Sequence, residues 1–272
     1  MTFKASSPVD RLAWRGGVKH GAREIAAETP VAFVYDGGTE AVMMATPADL
    51  EDFAIGFSLN DGVVASIDDI EALEVAEAGR GVELRITLKT RDRERLVTRR
   101  RLRAGPAGCG LCGIESIGEA VRALPHVASD ATFTVAEILE AMRGMRGLQA
   151  LNARTHAVHA AALYCRGEGI VAVREDVGRH NALDKLAGAL VRAGRDASRG
   201  AVLMTSRVSV ELVQKAAMMG VPLLAAVSAP TGLALEEAES AGLTVAGIVR
   251  DDGLEIFTHG ERIRLNEPAD AR

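Results

Sequence analysis

The pattern that most constrains the fold is an alternation in the second half of the chain. Short aliphatic runs at 170–173, 201–205, 221–227 and 244–249 are separated by stretches with helical spacing. Runs of that length bounded by Gly, Pro and Ser mark buried strands, whereas apolar residues recurring at i, i+3, i+4 and i+7 mark helices packed on them. Ala182, Leu183, Leu186, Ala187 and Leu190 form one such stripe. Residues 210–219 form a second helix, stopped by Gly220, and 231–241 a third with Gly242 past its end. A turn at Asp251-Asp252-Gly253 leads to a last strand at 255–258. Strand, helix and strand repeated in this way predict a mostly parallel sheet flanked by helices, with ligands at the carboxyl ends of the strands.

Those ends are polar. After 170–173 comes Arg174-Glu175-Asp176-Val177-Gly178-Arg179-His180-Asn181, after 201–205 Ser206-Arg207-Val208-Ser209, and after 221–227 Ser228-Ala229-Pro230-Thr231-Gly232. Each segment runs into a helix N-terminus, where free backbone N–H groups beside Arg179, Arg207 and hydroxyls suit a phosphorylated ligand. Structural roles compete at each position. Asn181 with Asp184 resembles a capping box, Ser209 and Thr231 suit plain caps, and Glu175 or Asp176 suits a pair with Arg179. His180 alone fits a turn, and Met218-Met219 fits a core. Three polar loops on one edge favour a binding site.

The first half is organised differently. Residues 1 to about 20, with Trp14 as the only tryptophan, show no period and predict a partly ordered arm. A strand at 30–35, a turn at Asp36-Gly37-Gly38 and a strand at 40–45 make a hairpin. Thr46 as N-cap, Pro47 at the first helical position and Asp49 in the first turn start a helix whose buried stripe is Leu50, Phe53, Ala54 and Phe57. Asn60-Asp61-Gly62 ends it, and strands follow at 71–75, 81–88 and 94–98. The expected divisions are an arm (1–20), an N-terminal α+β domain (21–103), a cysteine loop with a linker helix at 114–124 (104–130) and an α/β domain (131–272) beginning with a helix at about 134–144.

Two of the three cysteines stand in Gly108-Cys109-Gly110-Leu111-Cys112-Gly113. A thiol is a nucleophile only when ionised, and a following helix N-terminus with Arg95, Arg99, Arg100, Arg101 and Arg103 upstream favours the thiolate. The three glycines leave room for a partner or substrate to approach the sulfurs. Competing readings are half of a zinc site completed by His156 and His159, a thioredoxin-like redox pair lacking its βαβ context, and an arginine run on the wet face of a strand.

A chain of 272 residues, 48% hydrophobic and 25% charged, has enough material for one large or two modest cored domains. Net charge −5 and 3% aromatic content argue against general nucleic-acid binding. No apolar run reaches bilayer length, and a C-x-x-C without a leader-like start fits a reducing compartment, so a cytoplasmic protein is expected.

Cys109-Gly110-Leu111-Cys112-Gly113, then Thr155-His156-Ala157-Val158-His159-Ala160-Ala161, the run from Arg174 through Asn181 to Ala182-Leu183-Asp184-Lys185, Ser206-Arg207-Val208-Ser209 and Ser228-Ala229-Pro230-Thr231 stand in that order. In this the chain resembles the formate dehydrogenase accessory sulfurtransferase family, FdhD. Thr46-Pro47-Ala48-Asp49-Leu50 with Gly56-Phe57 is similar to the family's N-terminal region. The resemblance implies a cytidine-deaminase-like three-layer α/β C-terminal domain with a smaller N-terminal α+β domain. Deamination is not implied, because Ala161 stands where the deaminase signature needs a glutamate after His159.

In function the resemblance implies a sulfur carrier. It takes sulfur from a cysteine desulfurase as a persulfide on Cys109, with Cys112 assisting release, and passes it to the molybdenum cofactor in its bis(guanine dinucleotide) form before insertion into the formate dehydrogenase catalytic subunit. It implies cofactor contacts at Ile248, Val249, Arg250, Asp251, Asp252 and Gly253, Ile248 standing where an aromatic residue is expected. The strand-end residues Arg179, His180, Asn181, Ser206, Arg207, Ser228 and Thr231 complete the candidate set. It also implies a homodimer and no permanent cofactor or metal. A cofactor-holding chaperone without sulfur transfer is the alternative beside the zinc module.

Overall fold

The computed structural model describes residues 3–89 and 123–265. The chain opens with a β-hairpin of β1 (Ser6–Trp14) and β2 (Val18–Ala26), paired antiparallel in register from Ser6 opposite Ala26 to Trp14 opposite Val18. The expected arm is therefore a regular ribbon. It lacks an apolar period because both of its faces are largely exposed, with Leu12 at 66% and Trp14 at 76%.

The next strands are β3 (Thr29–Tyr35), β4 (Gly38–Ala45), β5 (Ile70–Ala78) and β6 (Gly81–Leu88), with α1 (Leu50–Asn60) between β4 and β5. They form a sheet in the order β4-β3-β6-β5, in which only β3 and β6 pair parallel. Alternate residues Val31, Phe33, Tyr35, Val82, Leu84 and Ile86 are buried with Leu50, Phe53 and Phe57 of α1. Helix α1 begins at Leu50, after a left-handed Asp49, and not at Pro47. The Thr46 hydroxyl does not cap it, because Thr46 is engaged with the other half of the molecule.

The second half contains β7 (Phe133–Thr134), α2 (Val135–Leu148), α3 (Ala150–Thr155), β8 (His159–Cys165), β9 (Gly169–Asp176), α4 (Arg179–Arg192), β10 (Ala201–Met204), α5 (Val210–Met218), β11 (Leu223–Ala226), α6 (Gly232–Ala241), β12 (Thr244–Arg250), β13 (Gly253–Thr258) and β14 (Ile263–Arg264). Helix α2 starts with a capping box of Thr134 and Glu137. The main sheet has the order β13-β12-β11-β10-β8-β9. It is mixed, which corrects the expected mostly parallel sheet: β10, β11 and β12 pair parallel, whereas β8, β9 and β13 join by antiparallel pairings. The β8–β9 hairpin adds to the β10 edge without a crossover helix, so its short turn dictates antiparallel pairing.

Helices cover both faces. Along β10, Val202 and Met204 pack toward α4, α5 and α6, while Ala201 and Leu203 pack toward α2; Leu224 with Ala226 and Leu223 with Ala225 repeat the split on β11. Helix α4 lies between this sheet and α1, which explains why both helices are buried nearly all round. The two cross with almost no space between backbones: a Cβ added to Gly56 would collide with the Asp184 carbonyl, and one on Gly188 with that of Asp52.

The polar groups at this junction are matched. Asp52 receives Arg174 and Arg192, Asp184 receives Lys215 and Asn60, and Asp176 receives Lys185. Cys109, Cys112, the strand expected at 94–98 and nearly all of the linker helix expected at 114–124 lie outside the described residues; Ala123 and Leu124, at its end, are not helical.

Candidate functional site

Strands β9, β10, β11 and β12 run in one direction and β8 runs against them, so the loops after those four strands and the start of β8 share one edge. Hydrogen bonds stitch the loops together. Val208 bridges Pro230, with Thr231 N donating to Val208 O at 3.0 Å, and Ile248 N donates to Ser228 O at 3.3 Å. Thr205 Oγ1 accepts from Ala160 N at 2.9 Å and lies 3.5 Å from His159 Nδ1.

Arg179 and His180 open α4 above this edge. The Arg179 Nε is buried and has no hydrogen-bond partner among the described residues. Burial, and then the exposed Arg207 guanidinium, push the Arg179 pKa down against the pull of Glu211, which fits a half-buried cation beside a second, solvent-facing one. His180 Nε2 lies 3.3 Å from Ser209 Oγ and 3.6 Å from Glu211 Oε2, and the imidazole holds Glu211 down at about 2. Burial first, then Arg179 and His180, lowers the pKa of His159. Neither Ser209 nor Thr231 caps its helix through its side chain, so the capping reading does not account for their hydroxyls.

The expected residues separate into two groups. Arg179, His180 and Arg207 meet, joined by His159, Thr205, Ser209 and Glu211, which the candidate set did not include. Ser228, Thr231 and Ile248 border them, and Ile248 adopts φ 51°, unusual for a β-branched residue, at an irregularity in β12–β13 pairing.

The others are bonded within the fold or stand apart from this cluster. Both amide hydrogens of Asn181 are used, on Met44 O and Asp176 Oδ1. Ser206 is buried and donates to Arg207 O. Val249 is fully buried on the α2 side of the sheet. Arg250, Asp251 and Asp252 are exposed, Asp251 pairing with Arg146 of α2 at 3.1 Å, and Gly253 begins β13. The expected zinc histidines part as well: His156 is exposed at the end of α3, while His159 sits among cations, which disfavours a dication.

A cavity of about 630 Å³ opens beside Cys165 at the opposite end of the sheet. Its arginines are already paired, Arg195 with Glu168, Arg166 with Glu137 and Arg199 with Asp130, and burial pushes the Cys165 thiol up, away from the thiolate. The strand-end edge is therefore the better candidate for an anionic ligand.

The family model for FdhD/NarQ matches residues 26–264. The chain belongs to the FdhD/NarQ family. A protein of Agrobacterium fabrum named sulfur carrier protein FdhD is 52% identical over 259 residues, covering 94% of this chain and 96% of that one. A protein of the same name from Cupriavidus necator is 48% identical, covering 92% and 87%. The crystal structure of a putative formate dehydrogenase accessory protein from Desulfotalea psychrophila superposes with a TM-score of 0.76 at 26% identity, covering 96% of this chain and all of the other. The FdhD/NarQ match spans both halves, so α1 and the strand-end edge belong to one family unit. Signals for the members left out of the candidate set were present but local: Glu211 follows Ser209 by two residues, and His159 stands at the first residue of β8.

Proposed function

We propose that this protein is a sulfur carrier serving formate dehydrogenase, in which Cys109 takes up sulfur as a persulfide and the strand-end edge holds the acceptor, a molybdenum cofactor in bis(guanine dinucleotide) form. The Cys109 thiolate attacks the outer sulfur of a cysteine desulfurase persulfide. The donor's S–S bond breaks, the donor leaves as a thiolate, and Cys109 carries the extra sulfur. Cys112 assists its release to the cofactor, which is then handed to the dehydrogenase.

The observation that carries this reading is the Arg179–Arg207 pair, with its unpartnered buried Nε, at an edge where loops from four strands converge. A pyrophosphate-bearing pterin supplies charge and acceptor atoms for the two guanidiniums, beside which stands the Glu211 carboxylate. The names of relatives about half identical in sequence support the sulfur-carrying part. The helix–sheet–helix layering supports a cytidine-deaminase-like second half, in which Ala161, fully buried, supplies no acid or base. Homodimerisation and a cytoplasmic location complete the proposal; no helix among the described residues is long and apolar enough to cross a membrane.

The test is to incubate the protein with a cysteine desulfurase and cysteine and take intact and peptide masses without reductant. One added sulfur atom on the Cys109 peptide, absent from Cys109→Ala, is expected. A wild-type protein that gains no sulfur overturns the reading.

A further inference from the structure

The direction of Arg179 and His180 is set by groups outside the edge they serve. Asp176, the last residue of β9, is fully buried and saturated. Its Oδ1 accepts from Gly178 N at 2.7 Å and Asn181 Nδ2 at 2.9 Å, and its Oδ2 from Lys185 Nζ at 2.6 Å and Thr46 N at 2.9 Å. Lys185, also fully buried, reaches on to Thr46 O at 2.8 Å. The Thr46 hydroxyl accepts from Val177 N at 3.2 Å. Val177 and Gly178, the two residues that carry the chain from β9 to Arg179, thus hang from Thr46 and Asp176. A Cβ on Gly178 would stand 2.7 Å from Asn181 Nδ2, so a larger residue there displaces that amide.

Thr46 belongs to the other half of the molecule, just past β4 and 131 residues from Val177 in sequence. Only its backbone N–H and C=O are needed to complete the buried ion pair. Its hydroxyl contributes something separate: it pins the loop.

We propose that Thr46 is a positioning residue for the strand-end anion site, its hydroxyl fixing the loop at Val177 so that the N-terminal sheet sets the aim of Arg179 and His180. This rests on the reading of that edge as a receptor for a phosphorylated ligand. A side chain held by supporting hydrogen bonds binds more tightly than one free to drift, and a lost neutral hydrogen bond corresponds to roughly two- to tenfold in affinity.

The experiment measures guanosine diphosphate binding to the full chain by calorimetry, about 20 °C below each variant's unfolding midpoint. Thr46→Val keeps the shape and both backbone bonds but removes the acceptor, and roughly two- to tenfold weaker binding is expected. Thr46→Ser restores the acceptor and is expected to bind within about twofold of wild type. Gly178→Ala, which displaces the Asn181 amide while leaving Thr46 intact, is expected to weaken binding similarly and serves if Thr46→Val does not fold. Folded Thr46→Val or Gly178→Ala with wild-type affinity, whatever the change in midpoint, overturns the proposal, and so does a Thr46→Ser protein as weak as Thr46→Val. Arg179→Ala separates the two levels: if it loses binding while Thr46→Val does not, only the positioning role fails. If it binds as wild type, the receptor itself is wrong and the positioning role goes with it.

Discussion

His159 illustrates how the strand-end edge ties charge to stability. Burial first, then Arg179 and His180, favour its neutral form, so its pKa in the fold lies below the ordinary 6.5. As pH falls through 6.5 the unfolded chain takes up a proton that the folded chain refuses, and stability drops with pH until His159 itself protonates. His159→Gln, neutral at every pH, is expected to flatten the stability profile between about pH 7 and 5, read from urea midpoints; an unchanged slope means that His159 is not held neutral. At Arg179 the fork matters as well as the charge. Arg179→Lys is expected to weaken guanosine diphosphate binding by about tenfold in calorimetry, because one ammonium cannot reproduce the planar donor set. Arg179, His180 and Arg207 were legible in the sequence because polar loops ahead of helices advertise themselves. His159 was legible only as a zinc ligand and Thr205 not at all, since only the pairing of β8 beside β10 brings them together. Asn181 looks free in sequence, whereas in space its Nδ2 donates to Met44 O and Asp176 Oδ1.

At the scale of elements, apolar spacing located α1, α2, α4 to α6, β3 to β6 and β9 to β13 but missed the β1–β2 ribbon and β8, and it did not give the strands' directions or neighbours. Spacing reports which face of an element is buried; it carries no record of whether a strand enters the sheet by a crossover or a hairpin, and so the antiparallel β8 and β9 escaped it. The α1–α4 crossing was hidden for a related reason. Gly56 and Gly188 lie in the middle of helices, where glycine costs about 1 kcal/mol relative to alanine in propensity, and nothing in either helix alone explains it. The reason is the partner: each glycine faces the other helix's backbone. Gly56→Ala and Gly188→Ala are therefore expected to destabilise, by about 1–3 kcal/mol or more in urea unfolding, in spite of the better helix propensity. A stabilised variant at either position would show that the helices separate easily. The ion pairs flanking this crossing follow the same logic of mutual dependence. Lys185→Met strands the Asp176 carboxylate in a dry interior and is expected to cost about 3–5 kcal/mol.

For the whole molecule, the layers run from the four-stranded sheet through α1 and α4 to the six-stranded sheet and α2, and the β1–β2 ribbon stands apart from that stack. Among the described residues it leans on α3, where Arg23 donates to Thr155 O at 3.3 Å. A two-stranded ribbon is marginal in water by itself, and this one exposes Leu12, Trp14 and Val18 on one face and Val9 and Ile25 on the other. A second copy of the chain is the proposed cover. The ribbon's Arg11, Arg15, Lys19 and Arg23 outnumber Asp10 and Glu24, while β5 exposes Glu71, Glu77 and Glu74, the last paired with Arg85 of β6, and β4 exposes Val42 and Met44. One chain therefore carries both a basic apolar ribbon and an acidic, partly apolar sheet, and a reciprocal exchange between two copies closes on itself without leaving either surface over. Sedimentation at micromolar concentration is expected to give a two-chain species. Leu12→Ser combined with Trp14→Ser is expected to give a single-chain species with unchanged circular dichroism, because neither residue belongs to a core of the monomer. If the double variant sediments like the wild type, the ribbon does not hold the copies together. If both are single chains, a second copy is not what covers its apolar faces.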